Sequence, residues 1–479
     1  MIKKFLLLFI CFSVILSSFC GCSLFEKKDD AKIKGGDIEE SSVVTPTAPR
    51  VEYDYKNLEA SKELDTEEKH SYYISLLDER TKLTYDEIYK DIKNCKNEII
   101  ITRNISEENF NKIMNIIIFD TPELFHVSKK YKYLLDGNGN VSKLFPIYLL
   151  TKKEYDLAFQ ELDDWAVSFS TRIKNSKESS TKDSEKITQY DAEIEIIKSV
   201  FRPKEKTFFS KNEAKQSGTI LIGTGSSKIE YDKTNLNVGV EALGIKYDLY
   251  NSESMSKAFC YVSRKTGLEV SCVIGELTDE SIKSIKGRTP AFVPPATSIV
   301  KKSDGLLREV SINDCFYYWN IIKINDQWHN VDTYYQNLLS FVLKEKMEID
   351  HDFMPFINMS DDYSCASRLA YYSEDLLGKL PSCTSITFMH PYRNGLYFPQ
   401  YNASQMTIAI NELLITTVSN KSSDITIQFA NQDNFDNFIN QFPKLLDKYN
   451  EENKKPIRDY SLSYNSASFS VIVSQIKYN

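Results

Sequence analysis

Two periodicities run along the chain, and the places where one gives way to the other mark its elements. Glu98-Ile99-Ile100-Ile101-Thr102 is β-rich, and after it Phe110, Ile113, Met114 and Ile117 recur at i, i+3, i+4 and i+7, which predicts a strand followed by an amphipathic helix. Strands are predicted over 124–135 and 141–150, with Asp136-Gly137-Asn138-Gly139 as the hairpin turn between them. Thr151 and Glu154 have capping-box spacing and open a long helix marked by Tyr155, Phe159, Leu162, Trp165, Phe169 and Ile173. Met255, Ala258, Phe259 and Val262 form a further helical face that ends at Gly267, with a buried strand from Leu268 to Gly275. The segments Tyr317 to Ile324 and Trp328 to Asp332 flank Asn325-Asp326-Gln327, a second hairpin signature. Near the end, Met406, Ile410 and Leu413, then Phe435, Phe438, Ile439 and Phe442, mark helices. The last strand alternates Ala467, Phe469, Val471 and Val473 against serines.

These patterns divide the 479 residues into an α+β unit at 52–174, a middle unit at 185–345 and a C-terminal α+β unit at 385–479. The polar stretch from Lys174 to Lys186 separates the first two, and no repeat period suggests a solenoid. The formal charge is −8, and it becomes −10 without Lys3 and Lys4, which argues against a nucleic-acid partner.

Lys3 and Lys4 precede a mainly apolar run from Phe5 to Phe19, too short to span a bilayer comfortably but suited to the core of a secretory leader. Phe19-Cys20-Gly21-Cys22-Ser23 follows and resembles the bacterial lipobox, in which a small residue precedes the acylated cysteine. Cys22, after Gly21, fits that pattern better than Cys20, although Phe19 stands where the family prefers leucine. The resemblance implies that residues 1–21 are a cleaved signal peptide and that Cys22 carries the lipid. It also implies that the mature protein sits on the outer face of the cytoplasmic membrane, its partner through the anchor. Residues 22–51, charged and Ser/Thr/Pro-rich, then read as a flexible tether.

Six further cysteines, Cys95, Cys260, Cys272, Cys315, Cys365 and Cys383, include no C-x-x-C pair. No His/Cys spacing suits zinc, so no metal or other cofactor is expected, and buried free thiols are the default reading. Gly223-Thr224-Gly225-Ser226-Ser227 lacks the P-loop lysine and reads as a turn. His70, His126, His351 and His390 have no ligand spacing. Pro290, Pro294 and Pro295 lie in a long insertion that suits a cover over a cleft or a passive loop.

The order helix, strand, hairpin in the middle unit, with Trp319-Asn320-Ile321-Ile322-Lys323-Ile324 and Trp328-His329-Asn330-Val331-Asp332, resembles the bacterial transglutaminase-like superfamily over roughly 90 residues. Thr121-Pro122-Glu123-Leu124-Phe125 and the helix from Thr151 also resemble its exported members. The resemblance implies a papain-like core flanked by two smaller α+β units. It places Ser252 at the nucleophile position, Tyr317 where the family has histidine and Asp332 at the third position. A papain-type reaction needs a thiolate at a helix N-terminus and an imidazole to shuttle its proton. Tyrosine, with a reference pKa near 10, is a poor base at neutral pH. Ser252 beside Asn251 and Ser254 also suits a helix N-cap, and His329 is expected on the strand face opposite Asp332. Cys260 and Cys315 read as buried apolar thiols. Two readings remain: a degenerate protein that binds a peptide, a cell-wall component or a protein partner, or an active thiol-dependent peptidase or transglutaminase with a rearranged nucleophile.

Overall fold

The computed structural model describes residues 26–27, 58–175, 187–200, 219–222, 229–232, 252–278, 298–313, 316–347, 349, 352–399 and 402–479, save positions 66, 366 and 467. The leader, Cys20, Cys22, nearly all of the expected tether, Gly223 to Ser227, the three insertion prolines, Cys315 and His351 lie outside them. Among the described residues no helix is long and apolar enough to cross a membrane.

The described fold is a mixed α+β arrangement built on several sheets. In chain order its main elements begin with β1 (Glu26–Lys27), α1 (Glu79–Lys93), β2 (Ile99–Ser106), α2 (Glu107–Asp120), β3 (Val127–Leu135), β4 (Asn140–Tyr148) and α3 (Lys152–Asn175). There follow α4 (Gln189–Val200), β5 (Thr219–Ile222), β6 (Ile229–Asp232), α5 (Ser252–Thr266), β7 (Glu269–Leu277), β8 (Ser298–Asp304), β9 (Leu307–Asn313), β10 (Tyr317–Ile324), β11 (Gln327–Val331) and α6 (Thr333–Met347). The last are β12 (Arg368–Leu369), β13 (Tyr397–Phe398), α7 (Ala403–Asn420), β14 (Ile425–Phe429), α8 (Gln432–Glu452), β15 (Ile457–Asn465) and β16 (Ser470–Tyr478).

Local chemistry accounts for many of the boundaries. Asp136 closes the β3–β4 turn by accepting the backbone N–H groups of Asn138 and Asn140. Thr151 and Glu154 bond reciprocally, each side chain taking the other's N–H, and start α3. Asn325 and Asp326 both have positive φ, 51° and 64°, the geometry of a two-residue type I′ hairpin loop, and Ile324 pairs with Gln327 across it. Gly267 ends α5 at φ +110°, and a Cβ there would lie 1.6 Å from the Asp65 carbonyl oxygen, so no other residue fits.

Long-range pairing redraws the expected division of the chain. The order β2-β4-β3-β9-β8 makes β8 and β9, from the middle of the sequence, part of the N-terminal sheet. The core packs Ile173 of α3 with Phe259 of α5 and Ile322 of β10, so the expected break between 174 and 185 does not separate two cores. The insertion is thus no passive loop over 298–313. A second sheet, β11-β10-β7-β12, lies against α5, which is buried along nearly its whole surface. The C-terminal sheet runs β1-β15-β16-β14-β13. Its β16 divides its side chains, Val471 and Val473 toward the α7/α8 core and Ile472 toward the core of the middle unit.

Candidate functional site

The two faces of β10 meet different neighbours. Tyr317, Trp319 and Ile321 pack with Tyr335, Leu339, Phe353 and Phe356, whereas Ile322 and Ile324 pack with Met255, Ala258 and Phe259 of α5. Asn320 belongs to the α5 face, its amide donating to the Ser256 carbonyl at 2.9 Å. The register, with Asn320 opposite Val331, puts Asp332 on the Tyr317 face.

On that face the Tyr317 hydroxyl donates to Asp332 Oδ2 at 2.7 Å. The same oxygen receives Arg368 Nε at 2.8 Å and Arg368 Nη2, while Oδ1 caps α6 by accepting the Tyr335 N–H at 2.8 Å. Relative exposure is 2% for Tyr317, 1% for Arg368 and 0% for Asp332, so water competes for none of these bonds. Arg368 Nη1 donates to Ser367, and its guanidinium lies 5.6 Å from the Tyr335 ring and 5.4 Å from the Phe356 ring. Burial and then the Asp332 charge push the Tyr317 hydroxyl well above the usual tyrosine range, so it stays a proton donor. The network continues from Trp319 Nε1 to Asn330 (3.1 Å), from Asn330 to Asp361 (3.1 Å) and from the Cys383 N–H to Asp361 (2.8 Å).

Arg368 reaches this point because β12 pairs with the edge of β7, Arg368 opposite Leu277. Gly275 makes that approach feasible. A Cβ there would lie 2.0 Å from the Leu369 carbonyl oxygen and 2.8 Å from Trp319 Cη2.

Ser252 starts α5 and is half-buried, and its hydroxyl accepts the Tyr318 backbone N–H at 3.3 Å. It therefore meets the strand that carries Tyr317, but α5 packs on the face opposite Tyr317 and Asp332. The neighbouring Glu253 sits in the first turn, where the helix dipole favours an anion, and pairs with Lys129 (2.8 Å) and Lys257 (3.0 Å). Burial raises its pKa, and the two ammonium groups outweigh that and hold it below the ordinary carboxylate range.

The described histidines supply no base here. His329 pairs across the hairpin with Ile322, on the α5 face as anticipated, and burial lowers its pKa to about 4. His126 is stacked between Tyr148 and Tyr155, and burial lowers it to about 4 as well. His126 Nε2 and the Cys95 N–H share the Ile92 carbonyl, yet burial raises the Cys95 thiol, so this neighbourhood favours a neutral thiol beside a neutral imidazole. His390 is buried at the start of a short helix and His70 is exposed.

A second buried charge network went unread in the sequence. Asp120 Oδ2 accepts Arg264 Nη2 (2.8 Å) and the Ser71 hydroxyl, and Oδ1 accepts the Cys272 N–H (2.6 Å). Arg264 also donates to the carbonyls of Val270 (2.8 Å) and Asp120 (2.9 Å). Asp120 follows an apolar helical run and Arg264 precedes the Gly267 cap, positions that read as ordinary helix-end charges. A third, Glu193, is fully buried and receives Asn358 Nδ2 at 2.6 Å, and burial lifts its pKa to about 8. The one group of potential metal ligands found among the described residues is Asp120, Cys260 and Cys272, whose ligand atoms lie within 4.8 Å of one another.

No protein-family model matches the chain, and no curated protein matches it in sequence. What the site can do thus rests on its own chemistry. Asp332 has four donors on its two oxygens and none to spare for orienting an imidazole, and the hydroxyl beside it is a bound donor. Tyr317, Asp332 and Arg368 form a closed ion-pair network that joins hairpin, α6 and β12.

Proposed function

We propose that this is a lipid-anchored extracytoplasmic protein whose middle unit is a catalytically degenerate transglutaminase-like core of the papain-like type. It acts by binding a peptide, a cell-wall component or a protein partner. The observation that carries the reading is Arg368 on Asp332: the carboxylate that would orient a catalytic imidazole is bound instead to a buried guanidinium and to the Tyr317 hydroxyl. The succession α5, β7, β10, β11, with the helix packed on an antiparallel sheet, is the order such a core needs and supports the reading. Tyr317, Trp319 and Asp332 are sealed, which leaves the start of α5, with half-buried Ser252, as the accessible part of the family-equivalent site.

Two measurements test this. Cells labelled with fatty acid should lose label from the Cys22→Ala protein and release it from the membrane; retained label would move the anchor to Cys20 or remove it altogether. The purified full chain should show neither incorporation of a primary amine nor capture by an active-site thiol probe, because two members of a cooperating triad are replaced. Turnover abolished by replacing Cys95, Cys260, Cys272 or Cys315 would establish the thiol-dependent enzyme instead.

A further inference from the structure

Cys260 lies on α5 and Cys272 on β7, and the tight turn at Gly267 folds the two elements against each other so that these residues meet in one core layer. Both are fully buried, and their Sγ atoms lie within 4.8 Å. The Cys260 thiol donates to the Val270 carbonyl at 3.5 Å, and Asn320 Nδ2 approaches Cys272 Sγ at 3.7 Å. Cys383 belongs to a different core, and Cys95 is half-buried beside α3.

Asp120 completes the group, but the arrangement does not suit a metal ion. Both Asp120 oxygens are occupied, Oδ1 by the Cys272 N–H and Oδ2 by Ser71 and Arg264, so a cation would displace bonds and sit beside a buried guanidinium. Burial and the neighbouring Cys260 push the Cys272 thiol well up, which favours the protonated form over the thiolate a metal requires. Two buried thiols that face each other suit a different fate.

We propose that Cys260 and Cys272 join as a disulfide that ties α5 to β7 when the chain folds under oxidising conditions. The oxidant is a thiol–disulfide exchange partner, such as oxidised glutathione or a protein disulfide. One cysteine, as thiolate, attacks the partner's disulfide and releases one partner thiol. The second cysteine, as thiolate, then attacks the mixed disulfide and releases the other. One S–S bond is formed and one broken, and the two protein protons end on the released thiols. Exchange takes place before α5 docks, since neither sulfur is exposed afterwards, and the same burial then shields the bond from reductants. In the cell the oxidant depends on the extracytoplasmic location proposed above, whereas glutathione supplies it in vitro.

The full chain, purified in detergent, is reduced, unfolded and refolded in a glutathione redox buffer. It is then acid-quenched, alkylated with iodoacetamide and digested with trypsin. Cleavage after Lys257, Arg264, Lys265 and Lys283 separates the two cysteines onto peptides 258–264 and 266–283. The expected product in most chains is this pair linked and two hydrogens lighter than its parts, with a melting temperature that drops on reduction. Cys260→Ala should make melting insensitive to reductant, and if that variant does not fold, the wild-type peptide map decides alone. Both peptides recovered alkylated, either one linked to another cysteine, or zinc protecting both thiols at one ion per chain would overturn the proposal. The link found after refolding but missing from protein extracted from membranes would uphold it and count against the extracytoplasmic location.

Discussion

Replacing Arg368 with methionine tests whether the closed network at the hairpin is what holds the middle unit in shape. The substitution keeps an apolar stem of similar length against Tyr335 and Phe356 and removes the guanidinium. Asp332 then keeps its bonds from Tyr317 and the Tyr335 N–H but stands as an unpaired charge at 0% exposure. Breaking a buried pair on one side costs about 3–5 kcal/mol. Asp332→Asn alone strands the guanidinium and should cost a similar amount. In the double variant no net charge is buried, and the amide still caps α6, so the cost should fall to about 1–2 kcal/mol, well short of the sum of the single effects. Urea unfolding followed by tryptophan fluorescence is a direct assay, since Trp319 lies in the same cluster. With a slope of about 3 kcal/mol per molar urea, each single variant should lower the midpoint by roughly 1–2 M. A loss under about 1 kcal/mol for Arg368→Met, or additive effects in the double variant, would refute the reasoning.

Glu193 ties stability to pH, because its carboxyl rises from 4.5 to about 8 on folding. Between those values the folded chain holds a proton that the unfolded chain has lost, so this contribution is complete below 4.5 and fades as the pH climbs to about 8. Glu193→Gln should match the wild type near pH 4.5 and exceed it by a few kcal/mol at pH 8, up to ~5 kcal/mol by linkage, in unfolding measured at both; parallel curves would contradict this. Tyr317→Phe removes one hydroxyl from a buried carboxylate and should cost about 1.5–3 kcal/mol in the same urea assay, without the larger loss of Arg368→Met. Gly275→Ala should push β12 away and approach the cost of Arg368→Met, and a variant as stable as wild type would show that β12 does not need the close approach. Ser252→Ala should cost no more than about 1 kcal/mol, as the loss of one partly exposed acceptor.

The sequence by itself determined what acts within a few residues. The Asp136 turn, the Thr151 capping box and the positive-φ pair Asn325 and Asp326 each depend on bonds or sterics across one to four positions, so their signals are complete in a short window. Hairpin parity was legible for the same reason, and it placed Tyr317 with Asp332 and His329 on the other face. The candidate site itself was only partly legible. Tyr317 and Asp332 could be paired from strand geometry, but Arg368, which decides what that pair can do, arrives from 36 residues away through the β12–β7 edge. Arg264 meets Asp120 across 144 positions, and Asn358 meets Glu193 across 165. A charged residue looks the same in sequence whether it is solvated or buried, because the desolvation that forces it to find a partner exists only once the layers have packed. The same holds for β8 and β9, which lie in what reads in sequence only as an insertion, because the docked edge of β3 that gives them a sheet to join exists only in the folded chain.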